Sequence, residues 1–281
     1  MPVAILVVVT SLLAVRPTMG DGRSTELSTP AARLPSRRVS DATQRREELR
    51  AVWEQARGCT KCPQLAAARQ TVVFGSGNAD ADLMFVGEAP GKNEDEQGRP
   101  FVGRAGKLLE QLLGEVGLQR EDVFINNTLN CRPPDNRDPH PVEIENCQGY
   151  LMRKIELVEP RVICTLGNFA TKLLRGDNAG ITKVRGQAEI RVLGRRTVRL
   201  LPILHPAAAL YTPANLEKLR EDMAQIPDLL ALPLPEQPAP EDPPREPIRE
   251  TGPEEPPRAV PEPGAPSDES SPPRDDQLGL F

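Results

Sequence analysis

Asp82-Leu83-Met84-Phe85-Val86-Gly87-Glu88-Ala89-Pro90-Gly91-Lys92-Asn93-Glu94-Asp95, continuing through Gly98-Arg99-Pro100-Phe101-Val102-Gly103-Arg104-Ala105-Gly106, decides how this chain is read. Residues 82–86 form a short apolar run of the kind that makes a buried parallel strand. Residues 107–113, Lys107-Leu108-Leu109-Glu110-Gln111-Leu112-Leu113, space their apolar positions as a helix does. Between them lies a loop rich in Gly and Pro, leaving the carboxyl end of a strand, which is where an open α/β sheet places its ligand. The glycines let backbone approach a ligand closely, and successive free N–H groups can form an anion-binding nest. Glu88, Asp95 and Phe101 share this loop, so it reads as a site and not as a connector. It is not a phosphate-binding P-loop: three residues separate Gly87 from Gly91 instead of four, and Asn93 follows Lys92 where Mg²⁺ binding needs Ser or Thr.

Outward from this stretch, apolar runs and helical patterns alternate. A helix is expected over residues 41–57 and stops at Gly58, with a short edge strand at residues 72–75. After the helix that Gly117 terminates come a second core strand at 123–127, a polar loop at 130–139 and a helix at 141–158. A third strand at 161–167 leads into a helix that ends near Leu174. Two short β-like runs separated by Gly194 follow, then a fourth strand at 200–204 carrying His205-Pro206 at its end, and a last helix at 215–230. Strands that alternate with helices imply an α/β fold, a parallel sheet with helices on both faces. Glu88, Asn127 and His205 then fall at the ends of strands, on one rim.

Charge divides the chain unevenly. Of its 281 residues, those from 233 to 281 hold 12 acidic and 4 basic side chains, a net of −8, while the whole chain carries −5. Residues 1–232 therefore carry +3, a mild positive balance that fits contact with nucleic acid without demonstrating it. The acidic, Pro-rich composition of 233–281 reads as a disordered tail. Residues 4–15 are apolar but too few to span a membrane, and no Lys or Arg precedes them. We read residues 1–40 as a disordered or mis-assigned extension, with Met19 as one alternative start, residues 41–232 as the folded domain, and the protein as cytoplasmic and monomeric.

Five cysteines, an odd number, argue against a disulfide framework. Cys59 and Cys62 form a CxxC pair, Cys131 and Cys147 sit near helix boundaries, and Cys164 lies in an apolar strand as a small core residue. Four ligands separated by 2, 68 and 15 residues suit either a tetrahedral Zn²⁺ or an iron–sulfur cluster, and a single CxxC pair leans toward the cluster.

Taken together, Gly87-Glu88-Ala89-Pro90-Gly91, Gly98-Arg99-Pro100-Phe101-Val102-Gly103, Asn130-Cys131-Arg132-Pro133-Pro134-Asp135-Asn136-Arg137 and His205-Pro206-Ala207 resemble the family 4 (type a) uracil-DNA glycosylases. The resemblance covers residues 45–230. It implies a three-layer α/β/α fold with a central four-stranded parallel sheet, a [4Fe-4S] cluster on Cys59, Cys62, Cys131 and Cys147, and removal of uracil from DNA. It also implies roles for the rim residues. Asn127 pairs with the uracil edge, Phe101 stacks on its face, and the backbone at Ala89 assists. His205 stabilises the leaving anion, and Glu88 or Asn136 positions the attacking water. Glu94 crowds the C5 position and excludes thymine. Leu210 or Tyr211 fills the gap left by the flipped nucleotide, and Arg104, Lys183 and Arg185 meet phosphates.

Two other classes keep part of this pattern. One is an iron–sulfur protein of the same fold that binds uracil-DNA without cleaving it, or links to it covalently. The covalent branch carries an inserted basic loop ending in His, where this chain has residues 130–137 with His140 beyond. The other is an N-glycoside hydrolase without a DNA wedge. Finally, Gln277-Leu278-Gly279-Leu280-Phe281 resembles the peptide that docks on the bacterial sliding clamp, with Gln277, Leu278, Leu280 and Phe281 as its anchors.

Overall fold

The computed structural model describes residues 37–238. Residues 1–36 of the expected extension and residues 239–281 of the expected tail, with its terminal peptide, lie outside the described residues; the first helix begins at Arg37, four residues before the expected start. Strands β1 (Ser76–Gly77), β2 (Leu83–Gly87), β3 (Phe124–Asn127), β4 (Val162–Leu166), β5 (Glu189–Leu193) and β6 (Arg196–Ile203) form one six-stranded sheet in the order β1-β3-β2-β4-β6-β5. Its four inner strands, β3, β2, β4 and β6, are parallel, as the alternating pattern requires. β1 and β5 add antiparallel edges that widen the expected four-stranded sheet to six.

The differences from expectation have local causes. The edge strand falls at Ser76–Gly77 and not at residues 72–75. Gly77, with φ +126°, passes so close to β3 that a Cβ there would lie 1.9 Å from the Val123 carbonyl oxygen. Of the two β-like runs around Gly194, the first is β5; the second merges with the expected fourth strand into the eight residues of β6. The last helix divides into α9 (Pro213–Met223) and α10 (Ile226–Ala231), because Pro227 has no N–H to continue the ladder.

Helices α1 (Arg37–Arg57), α5 (Pro141–Val158) and α6 (Asn168–Arg175) cover one face of the sheet. There Leu49, Trp53, Leu151, Ile155 and Leu174 pack on Met84, Val86, Phe124 and Ile163. Helices α4 (Arg104–Glu115), α7 (Ile181–Val184), α9 and α10 cover the other, burying Leu109, Leu113, Val184, Leu219 and Ile226 on Leu83, Phe85, Ile125 and Cys164. Alternate residues of β2 supply the two cores, as the period of two in a strand demands. Three short helices remain: α2 (Pro63–Ala68) behind the CxxC pair, α3 (Lys92–Gln97) inside the Gly-rich loop, and α8 (Ala207–Tyr211) after His205. The chain runs from β2 to β3 on one side and returns to β4 on the other, which opens a crevice at the carboxyl end of β2.

Candidate active site

At that crevice β2 and β3 end in register, Gly87 opposite Asn127. A Cβ at residue 87 would lie 2.4 Å from Asn127 Oδ1 and 2.8 Å from the Phe101 ring, so glycine is what lets the amide and the ring converge. Asn127 is buried, and its Oδ1 is sealed from solvent without a hydrogen-bond partner. Such an orphaned acceptor costs stability unless a ligand supplies the missing donor. Phe101 is also buried, with its backbone in the left-handed region at φ 54°. Its ring lies 5.6 Å from that of His205, centroid to centroid.

His205 follows β6, and Gly167 backs it, since a Cβ there would come 3.1 Å from His205 Cβ. The Ala207 N–H donates to His205 Nδ1 at 3.2 Å, which leaves the proton of the neutral ring on Nε2. Burial pushes His205 down to about 4, against a smaller opposing pull from Glu94, so at neutral pH the ring is an uncharged Nε2–H donor. Glu88 is shifted the other way. Desolvation first, and the Asp138 carboxylate second, raise it to about 7. Asp138 escaped the sequence reading because its proximity to Glu88 depends on how the 130–139 loop folds back.

The other acidic residues of the loop hold it in shape. Asp95 is buried and accepts the Gln70 N–H at 3.0 Å and the Thr71 N–H at 3.2 Å, so its role is structural and not that of a site carboxylate. Glu94 Oε1 accepts the Val102 N–H at 3.0 Å and the Gly103 N–H at 2.8 Å, which holds the loop beside Phe101. Asn136 is exposed at φ 52°, and its amide oxygen accepts from Arg132 Nε at 2.8 Å. Ala89 lies half-buried next to Glu88.

The four expected cysteine ligands come together. Cys59, Cys62, Cys131 and Cys147 line one cavity with Leu65, Arg69 and Asn146, while Cys164 is buried elsewhere in the sheet. Each sulfur has a donor. Arg69 Nη1 reaches Cys131 Sγ at 3.1 Å, Asn146 Nδ2 reaches Cys62 Sγ at 3.6 Å, and the Asn130 N–H reaches Cys147 Sγ at 3.4 Å. The Tyr150 hydroxyl is hydrogen-bonded to Cys59. Burial raises the Cys131 thiol and pushes Cys147 up to about 11. These sulfurs therefore become thiolates only where a cation compensates them, and the ring of donors suits a thiolate-ligated group. Arg69 follows α2, while Asn146 and Tyr150 flank Cys147 on α5, and none of the three carries a sequence signal of this role.

Residues 74–227 match the uracil DNA glycosylase superfamily. The chain belongs to that superfamily. A type-4 uracil-DNA glycosylase of Sulfurisphaera tokodaii is 47% identical over 193 residues, covering 66% of this chain and 87% of the relative. Those of Archaeoglobus fulgidus, 43% identical over 65% of this chain and 94% of the relative, and of Saccharolobus solfataricus, 44% identical over 66% and 88%, are similarly close. The matches place this glycosylase-superfamily chain with the type-4 branch.

The outer rim of this superfamily member holds part of the expected DNA-facing set. Arg104 Nη2 donates to the Tyr211 hydroxyl at 3.1 Å and its guanidinium lies over the Tyr211 ring, while Tyr211 is 75% exposed and Leu210 37%. Lys183 is exposed on α7. Arg185 is more engaged: its Nε and Nη2 donate to Asp222 at 2.9 Å each, and Nη2 also donates to the Lys218 carbonyl, so this edge of the guanidinium ties α7 to α9. Among the described residues no helix is long and apolar enough to cross a membrane.

Proposed function

We propose that this chain removes uracil from DNA by hydrolysing its N-glycosidic bond, leaving an abasic site. The observation that carries the reading is the orphaned, buried Asn127 Oδ1 beside the Phe101 ring. Uracil offers that oxygen its N3–H, and its O4 accepts from the amide Nδ2. Cytosine offers neither, so the wrong base leaves buried groups unpaired. A base inside a duplex cannot reach this depth, so the nucleotide is flipped out, with Leu210 or Tyr211 filling the gap and Arg104 and Lys183 meeting the backbone.

Once the base is seated, the C1′–N1 bond breaks and its electron pair leaves with uracil. His205 Nε2–H donates to the developing O2 anion, assisted by the backbone at Ala89. Water adds to the cationic C1′ and gives its proton to Glu88, whose ionised form also stabilises the sugar cation. Glu88 is preferred to Asn136 for this step because it is half-buried, while the Asn136 oxygen is already bound to Arg132.

The four-cysteine cavity is read as the seat of a [4Fe-4S] cluster with a structural role. Outside the described residues, Gln277, Leu278, Leu280 and Phe281 are read as a sliding-clamp anchor. The protein is taken to work as a cytoplasmic monomer.

The test is a single-uracil oligonucleotide with alkali cleavage of the abasic product. Strand cleavage at uracil that falls about 10- to 100-fold in Asn127→Ala, the range for an unsatisfied buried partner, supports the pocket. No cleavage by iron-loaded wild type sinks the glycosylase reading in favour of a binding module, and a covalent adduct favours the cross-linking branch.

A further inference from the structure

The Phe101 backbone is in a conformation that a bulky residue adopts only when its surroundings impose it. Two side chains from opposite sides supply that constraint. Glu94 accepts the N–H groups of Val102 and Gly103 from one side. From the other side, Arg120 donates to the carbonyls of the two preceding residues: Nη2 to Pro100 at 2.6 Å and Nη1 to Phe101 at 3.3 Å. The Arg120 side chain is only 12% exposed. Its fork is fixed further by Ser76 Oγ at 3.3 Å on β1 and by Glu110 Oε1 at 3.3 Å on α4. α4 closes the remaining side, since a Cβ at Gly106 would lie 1.8 Å from the Phe101 carbonyl oxygen. Three consecutive peptide groups around Phe101, from 100–101 to 102–103, are thus bound by one cation and one anion.

We propose that Arg120 is a positioning residue for catalysis: it holds the strained 100–103 turn so that the Phe101 ring is set at its stacking angle before substrate arrives. The inference rests on Phe101 being the stacking face proposed above. A guanidinium suits the task because its planar fork can serve several acceptors at once, which an ammonium cannot do with the same geometry. Preorganisation of this kind lowers the cost of seating the base, and a ring displaced by an ångström forfeits much of the rate.

The test is a double-mutant cycle on the full, iron-loaded chain: wild type, Arg120→Met, Phe101→Ala and the double variant, with Arg120→Lys as a form that keeps the charge. Two readouts are taken. The first is kcat/KM for uracil release; the second is residue-resolved amide exchange. Arg120→Met is expected to lower kcat/KM by about tenfold or more, and to cost less than about twofold once Phe101 is Ala. Arg120→Lys is expected to recover only part of the loss. Exchange at the Val102 and Gly103 amides is expected to quicken about tenfold in Arg120→Met, with β3 amides unchanged.

A residue that merely supports the fold would give equal losses in both backgrounds and faster exchange in β3, which overturns the proposal. Unchanged exchange at Val102 and Gly103 also overturns it, whatever the enzyme does. If Arg120→Met does not fold, Arg120→Lys carries the same cycle. If Phe101→Ala is as active as wild type, the stacking reading fails first, and the exchange data still show whether Arg120 holds the turn.

Discussion

At Glu88 two requirements pull against each other. In its proposed role as base the carboxyl must be ionised to take a proton from water, yet the half-buried site raises it to about 7. Uracil release should therefore climb with pH through a midpoint near 7, and Glu88→Gln should flatten the profile at a low plateau. The stability sign follows from the same shift. A carboxyl raised on folding is favoured in its protonated form, so its favourable contribution is full below the unfolded value near 4.5 and is lost as pH rises toward 7. Glu88→Gln should then melt higher than wild type at pH 8, with the difference shrinking to nothing below pH 4.5; a variant that melts lower at pH 8 would contradict the assigned burial. His205 works in the opposite sense. Burial lowers it to about 4, so the stability of its neutral form is present above the unfolded value of 6.5 and is lost as pH falls from there to 4. The acid limb of the enzyme's stability and the pH dependence of its rate thus come from different groups.

Among the elements, the cysteine cavity fastens pieces that the sheet alone does not join. Cys59 and Cys62 lie at the junction of α1 and α2, Cys131 follows β3, and Cys147 is on α5. The proposed cluster would close long loops between them, so its loss should loosen the α1–α5 layer. Cys62→Ser is expected to lose iron and to melt about 5–10 °C lower, on the order of 2–3 kcal/mol for a domain of this size. Full iron content with an unchanged melting point would remove Cys62 from the ligand set. The elements show what local pattern can and cannot reveal. α5 has the expected bounds because its signals are adjacent: Pro141 opens it, and Glu143 accepts the His140 N–H at 2.8 Å. The four inner strands were legible for the same reason, as were Glu88, Asn127 and His205 at their ends. Arg120 and Asp95 were not, because they act on backbone groups about 20 and 25 residues away, and nothing in their own neighbourhoods records it. The Gly-rich loop was read as open chain, yet Gly91 and Gly98 enclose the six-residue α3. Glycine at both caps marks a helix as well as a turn.

On the scale of the molecule, the pocket and the origin of the tail lie at opposite ends of the sheet. Glu88, Asn127 and His205 follow the carboxyl ends of β2, β3 and β6. Near the amino ends of β4 and β6, Arg199 Nη2 donates to the Pro233 carbonyl at 2.6 Å, Arg161 donates to that of Leu232, and Gln237 exchanges hydrogen bonds with the Thr197 backbone at 3.1 and 3.0 Å. The chain is thus led away from the rim proposed to face DNA before its acidic part begins. Residues 239–281 hold 11 acidic and 4 basic side chains, a net of −7, and the chain without them carries +2. That segment repels phosphate at any range the salt leaves unscreened. Truncation after Pro238 should therefore tighten binding to a duplex without uracil by about threefold to tenfold at 50 mM salt, where the Debye length is on the order of 14 Å, and by less than about twofold at 500 mM. Single-turnover release of uracil from a saturated short duplex should not change, since no pocket group is removed. Weaker binding by the truncated chain at low salt would mean that the tail itself contacts DNA. The acidic segment would then be part of substrate recognition, and the separation of pocket from tail would not describe how the molecule works.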